Sequence, residues 1–150
     1  MLRVDSVTIM KLHFLLSVFV LLILASCERA TKVTLAGGNP PGFVLSGSGE
    51  LGDLRIYGPK QREVSSDLSF VIWEIEPIDG FLNGKLIEDI GSIKYGVVPQ
   101  GYKQIYPENG ATAPALVVGE KYQYWFQTIN APQARSYFEI RDNKAVEVPK

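Results

Sequence analysis

Residues 116–126 read LVVGEKYQYWF, and from Tyr122 onward the run alternates: Tyr122, Tyr124 and Phe126 fall on one side, Gln123, Trp125 and Gln127 on the other. Successive side chains of a strand point to opposite faces, so this pattern fits a strand with one face in a core and one turned outward. The same period of two recurs on both sides of the stretch, at Leu54-Ile56, Val71-Trp73-Ile75, Ile93-Tyr95-Val97 and Phe138-Ile140. Between these runs stand Gly58-Pro59, Asp79-Gly80, Asn83-Gly84, Pro99-Gln-Gly101, Asn109-Gly110 and Asn130-Ala-Pro132. Those are residues that reach positive φ or fix φ in turns. Only Leu82 to Ile90 offers room for one helical turn or two. Short strands at this spacing point to an all-β fold, a sandwich or a barrel.

The run at 116–126 resembles the L-x-P-G-x-x-Y-x-V-x-V stretch of fibronectin type III domains, with Val118 in place of the proline. The resemblance implies a fibronectin type III-like or immunoglobulin-like sandwich. It makes Tyr122 a tyrosine corner, whose hydroxyl ties back to upstream backbone at the start of strand F. In the same frame Ser69 to Pro77 looks like strand B with its tryptophan, Ile93 to Val97 like strand C, and Arg135 to Ile140 like strand G. Residues 43–150 form the expected domain, with Ala145 to Val148 an added edge strand.

The chain of 150 residues has one Cys, Cys27, and one His, His13. Removing the first 26 residues leaves 124 with no His, no Met and no thiol beyond Cys27 itself, and a net charge of −2 in place of −1. That excludes a disulfide framework, a Cys/His zinc site and any His-dependent triad or Cys nucleophile within one chain. No metal, no cofactor and no nucleic-acid partner is expected of such a balance.

Phe14 to Ala25 reads FLLSVFVLLILA behind Lys11 and His13. A span needs about twenty apolar residues and a signal-peptide core roughly seven to fifteen, so the length favours export. Leu24-Ala25-Ser26-Cys27 resembles the lipobox of bacterial lipoproteins. Resemblance implies that Cys27 receives a diacylglyceryl group, that residues 1–26 are removed, and that the acylated Cys anchors the chain in a membrane. Glu28, not Asp, follows the Cys, which implies the outer membrane of a bacterial envelope. MKLHFLLSVFVLLILASC from Met10 is a complete signal by itself, so translation is expected to start there. Residues 27–42, ending GGNPPG, have linker composition and read as a tether, part of which, Thr31 to Leu35, is able to pair as an edge strand.

Candidate chemistry is sparse. Gly47-Ser-Gly49-Glu-Leu-Gly52 matches G-x-G-x-x-G, yet Asp53 to Tyr57 alternates and Gly58-Pro59 ends it, leaving no helix to hold a pyrophosphate. A turn or bulge is the expected reading. Glu74 and Glu76 share a strand face at about 6.6 Å, a separation compatible with glycosidase carboxylates but ordinary for exposed strand ends. The outward side of the aromatic strand is more informative. If Tyr122 points in, Trp125 points out, and on the neighbouring strand Arg135, Tyr137, Glu139 and Arg141 point out. Trp125, Tyr137, Arg135 and Lys94 are therefore the candidate contact face, since Trp, Tyr and Arg are enriched at binding hot spots. Trp125 is otherwise covered by Tyr102, Tyr106 or the 98–113 connection. The expected function is non-enzymatic: a lipid-anchored envelope module that binds or scaffolds an envelope protein or glycan. Alternatives are a carbohydrate binder or carboxylate-dependent glycan hydrolase, and a subunit of an envelope secretion or assembly complex.

Overall fold

Residues 30–59 and 70–150 are described by a computed structural model. Cys27, the apolar run before it and Ser69 lie outside the described residues. Ten strands follow in order: β1 (Lys32–Ala36), β2 (Gly42–Ser46), β3 (Glu50–Tyr57), β4 (Val71–Pro77), β5 (Lys85–Leu86), β6 (Ser92–Lys94), β7 (Tyr102–Tyr106), β8 (Lys121–Ile129), β9 (Ala134–Arg141) and β10 (Lys144–Val148). The only helical pieces among the described residues are a 3-10 turn at Phe81–Asn83 and the single turn α1 (Ile87–Ile90); α1 falls within the 82–90 window expected for a helical turn, and the 3-10 turn starts one residue before it.

The strands form an all-β sandwich. A three-stranded sheet has the order β1-β2-β6, and a seven-stranded sheet has the order β10-β9-β8-β3-β4-β7 with β5 paired to β3. Every ladder is antiparallel. With β1, β2 and β6 as A, B and E, and β9, β8, β3 and β4 as G, F, C and C′, the order is that of immunoglobulin-type sandwiches. This corrects two assignments. Trp73 stands on β4, in the C′ position and not on strand B, and Ile93 stands on β6, in the E position and not on strand C. The physical reason lies in the segment read as a tether. Val33 is buried and Leu35 half-buried, β1 pairs with β2, and Gly37 to Pro41 is the hairpin connection between them. The turn-rich composition was real, but it closes a hairpin. The sandwich accordingly begins inside 27–42, before residue 43. Thr31 fixes its start, donating its hydroxyl to the Ser48 carbonyl at 3.1 Å.

Gly47 and Gly49 take positive φ in the β2–β3 turn, and the register of β3 against β8 shifts between Leu51 and Asp53. The G-x-G-x-x-G stretch is thus a turn followed by a bulge. A side chain at Gly52 would run into the Phe81 ring, which is why the bulge carries no Cβ there.

The core is aromatic. Phe43 comes from β2 and meets Tyr124, Phe126 and Phe138 of the opposite sheet edge-to-face, with centroids 5.6, 5.4 and 6.2 Å away. Such pairs add about 0.5–1.5 kcal/mol each beyond area burial. Trp73 is fully buried against Tyr95 at 5.3 Å. The hydroxyls that enter this core are bonded. Tyr95 donates to the Pro114 carbonyl at 2.8 Å, Tyr102 to the Leu51 carbonyl at 2.8 Å, and Tyr122 accepts from the Val117 N–H at 2.8 Å. Tyr122 so closes the loop before β8 from five residues downstream. Burial raises Tyr95 and Tyr102 above the ordinary phenol range and pushes Tyr124 up to about 12, the last also facing the Glu147 carboxylate.

Candidate contact face

The inner sides of β3, β8 and β9 are spent on the core, so their alternate residues form the outer face of the larger sheet. Along β8, Tyr122, Tyr124, Phe126 and Thr128 are buried, while Gln123, Trp125, Gln127 and Ile129 are half-buried. Register then decides which outward side chains are neighbours. Arg55, Trp125 and Arg135 form one row across β3, β8 and β9, and Glu74 of β4 extends it beyond Arg55. Tyr57, Gln123 and Tyr137 form the next row.

Trp125 sits at the centre. Its ring lies 6.4 Å from that of Tyr57 with the planes 26° apart. The Arg55 guanidinium carbon is 5.9 Å from the indole centre, and the indole N–H donates to Gln133 Oε1 at 2.8 Å. Lys121 stands 5.2 Å over Tyr137 and donates to the Pro149 carbonyl at 2.6 Å. The 98–113 connection does not reach Trp125: its strand, β7, pairs with β4 and is separated from β8 by β3 and β4. Arg55, Tyr57 and Gln133 are what shield the indole.

Lys94 does not belong to this group. It lies on β6, in the three-stranded sheet, where it lines an open cleft of about 410 Å³ with Pro40, Phe43, Val44 and Ser92. Its placement beside Trp125 followed from putting Ile93 to Val97 on strand C, and it falls with that assignment. Trp125, Tyr137 and Arg135 do stand together; Arg55, Tyr57 and Asp53 join them. These last three were legible as the polar half of the Leu54-Ile56 alternation. Their adjacency to Trp125 was not, because it depends on β3 pairing with a strand some seventy residues away.

Arg55 organises the acidic side of the face. Its Nη2 is 2.7 Å from Asp53 Oδ2 and its Nε donates to Glu74 Oε1 at 2.8 Å. Asp53 is only 3% exposed, and that burial raises its carboxyl to about 6, against the pull of Arg55 and with the help of the Glu74 and Glu76 charges. Burial also works against the Arg55 cation, but the Glu74 hydrogen bond and the Asp53 charge outweigh it and hold the guanidinium above its usual value. Glu74 is therefore Arg55's principal anchor, and Asp53 is the carboxylate that burial inclines towards its protonated form. Lys103 takes up Glu76 at 3.1 Å. Chemically, these carboxylates bind cations of their own sheet. Among the described residues no three acidic, His or Cys side chains are grouped to hold a metal, and no helix is long and apolar enough to cross a membrane.

Compared with protein-family models, curated proteins and solved structures, the chain matches none.

Proposed function

We propose that this chain is a lipid-anchored cell-envelope protein whose sandwich is a non-enzymatic binding or scaffolding module, working through the outer face of its larger sheet. One observation carries the reading: Trp125 is held outward, half-buried, between Arg55 and Arg135, on a sheet whose core lies on the other side. A half-buried indole on a strand face keeps aromatic surface open to a partner, and Trp and Arg dominate binding energy where they occur at interfaces. The engagement of Asp53 and Glu74 by Arg55 favours contact over hydrolysis, because a general acid needs a free approach to the oxygen it protonates. Leu24-Ala25-Ser26-Cys27 supports the anchor and, through it, the envelope location.

Crosslinking in native membranes tests the reading. A wild-type chain should capture a recurrent neighbour, and Trp125→Ala should lose it while remaining folded. An unchanged crosslinking pattern would remove Trp125 from the interface. Cys27→Ser should move the protein to the soluble fraction, and co-sedimentation that survives a carbonate wash would sink the anchor.

A further inference from the structure

We infer that the outer face of the larger sheet binds an acidic saccharide, with a sugar ring against Trp125 and Tyr57 and its carboxylate received by Arg135; this rests on reading that face as the contact face.

The charges on the face are sorted. Arg55 is bound by Asp53 and Glu74, Lys103 by Glu76, Arg141 by Glu139 at 2.6 Å, and Lys121 by the Pro149 carbonyl. Arg135 is exposed, stands directly opposite Trp125 in the β8–β9 register, and has no hydrogen-bond or ion-pair partner among the described residues. Its fork of donors, suited to bidentate capture of a carboxylate, is left to solvent beside the indole. An anion there completes the row.

Aromatic surface and amides supply the rest. Trp125 stacks on Tyr57 of the adjacent strand, and both are half-buried, so that part of each ring remains open on this face as apolar surface for the C–H side of a pyranose. Gln123 and Gln127 flank Trp125 two residues to either side, half-buried and with no side-chain bond among the described residues. Each amide offers both a donor and an acceptor, as vicinal hydroxyls require. Other ligand classes fit less well. An acidic peptide is recognised by main-chain bonds at a sheet edge, whereas this is a sheet face, or by a cluster of arginines, whereas Arg135 stands here as a single unpaired one among the described residues. Nucleic acid needs a set of cations along its phosphates, and here only Arg135 and, at the far edge of the sheet, Lys144 stand unpaired on this face among the described residues.

The test is titration calorimetry on the full chain in detergent with oligogalacturonate, a chondroitin oligosaccharide and sialyllactose, against maltohexaose as neutral control and poly-glutamate as acidic peptide. At least one acidic saccharide should bind, and Trp125→Ala and Arg135→Gln should each weaken it about tenfold or more, with Lys94→Ala unchanged. Melting curves of the two variants establish that they are folded. Binding of maltohexaose or poly-glutamate as tight as the acidic sugar overturns the proposal, as does binding indifferent to Arg135→Gln, or no binding across the panel. Should the panel fail while Trp125→Ala still loses its crosslinked neighbour, the ligand class falls and the contact face stands. Failure of both removes both.

Discussion

The chain has two tryptophans, and the larger sheet places them on opposite faces. Trp73 on β4 points into the core and is fully buried; Trp125 on β8 points out and is half-buried. Both indole N–H groups donate to a glutamine Oε1, Gln104 at 3.1 Å for Trp73 and Gln133 at 2.8 Å for Trp125. The difference lies in the second layer. Gln104 is itself tied down, its amide donating to the carbonyls of Pro107 and Ala111 at 2.8 Å each, so the buried donor is held by a fully committed acceptor. Around Trp125 the partners are charged: Arg55, bridged to two carboxylates, and Arg135, bridged to none among the described residues. The same side chain with the same hydrogen bond therefore serves two ends, and it is the neighbours across the strands that decide which.

Alanine at each tryptophan breaks the comparison most directly. Trp73→Ala empties a fully buried site and should cost about 3–5 kcal/mol by urea denaturation. Trp125→Ala forfeits a ring contact, a cation–π contact and an exposed hydrogen bond, and should cost about 1 kcal/mol. Equal losses would place Trp125 in the core and end its candidacy as a contact residue.

Asp53 sharpens the contrast from the acidic side, because the outer face buries a carboxylate there almost as the core buries an indole. Its folded value of about 6 lies above the ordinary carboxylate value near 4. Between those two points the folded chain holds a proton that the unfolded chain has lost. The contribution to stability is thus complete below about pH 4 and is lost as pH rises through about 6. Two units correspond to roughly 3 kcal/mol at most. Asp53→Asn removes this titration, so the stability of the variant relative to wild type should climb between pH 4 and pH 7. A difference that stays flat over that range would mean that Arg55 at least offsets the burial.

How much of this was readable beforehand follows from which interactions are local. The alternation at 122–127 fixed which residues of β8 face in, and Tyr122 bonds a residue only five positions upstream; both belong to short stretches of chain. Ala145 to Val148 also proved to be a strand, joined to β9 by Asp142 and Asn143, both at positive φ as a two-residue hairpin requires. Neighbours across the sheet are another matter. Arg55 meets Trp125 only because β3 lies between β4 and β8, and no period in the sequence encodes that order. Lys94 was misplaced for the same reason: its strand was recognisable, but its sheet was not. GGNPP at 37–41 carried a signal for a turn that composition alone cannot distinguish from a tether, since both need Gly and Pro.

The smallest effect separates the two second layers. Gln104→Ala leaves the Trp73 N–H buried without an acceptor, and unsatisfied buried donors cost about 1–3 kcal/mol; it also frees the carbonyls of Pro107 and Ala111 at the end of β7. Gln133 lies at the surface of the β8–β9 hairpin, where water replaces it, and Gln133→Ala should stay within about 0.5 kcal/mol. Its consequence belongs to the indole's orientation. With the acceptor gone, Trp125 should turn more freely over Tyr57, visible in a Trp73→Phe background as faster decay of fluorescence anisotropy from the one remaining tryptophan. If Gln133→Ala instead destabilises as much as Gln104→Ala, the outer hydrogen bond is structural, and Trp125 is held for the fold and not for a partner.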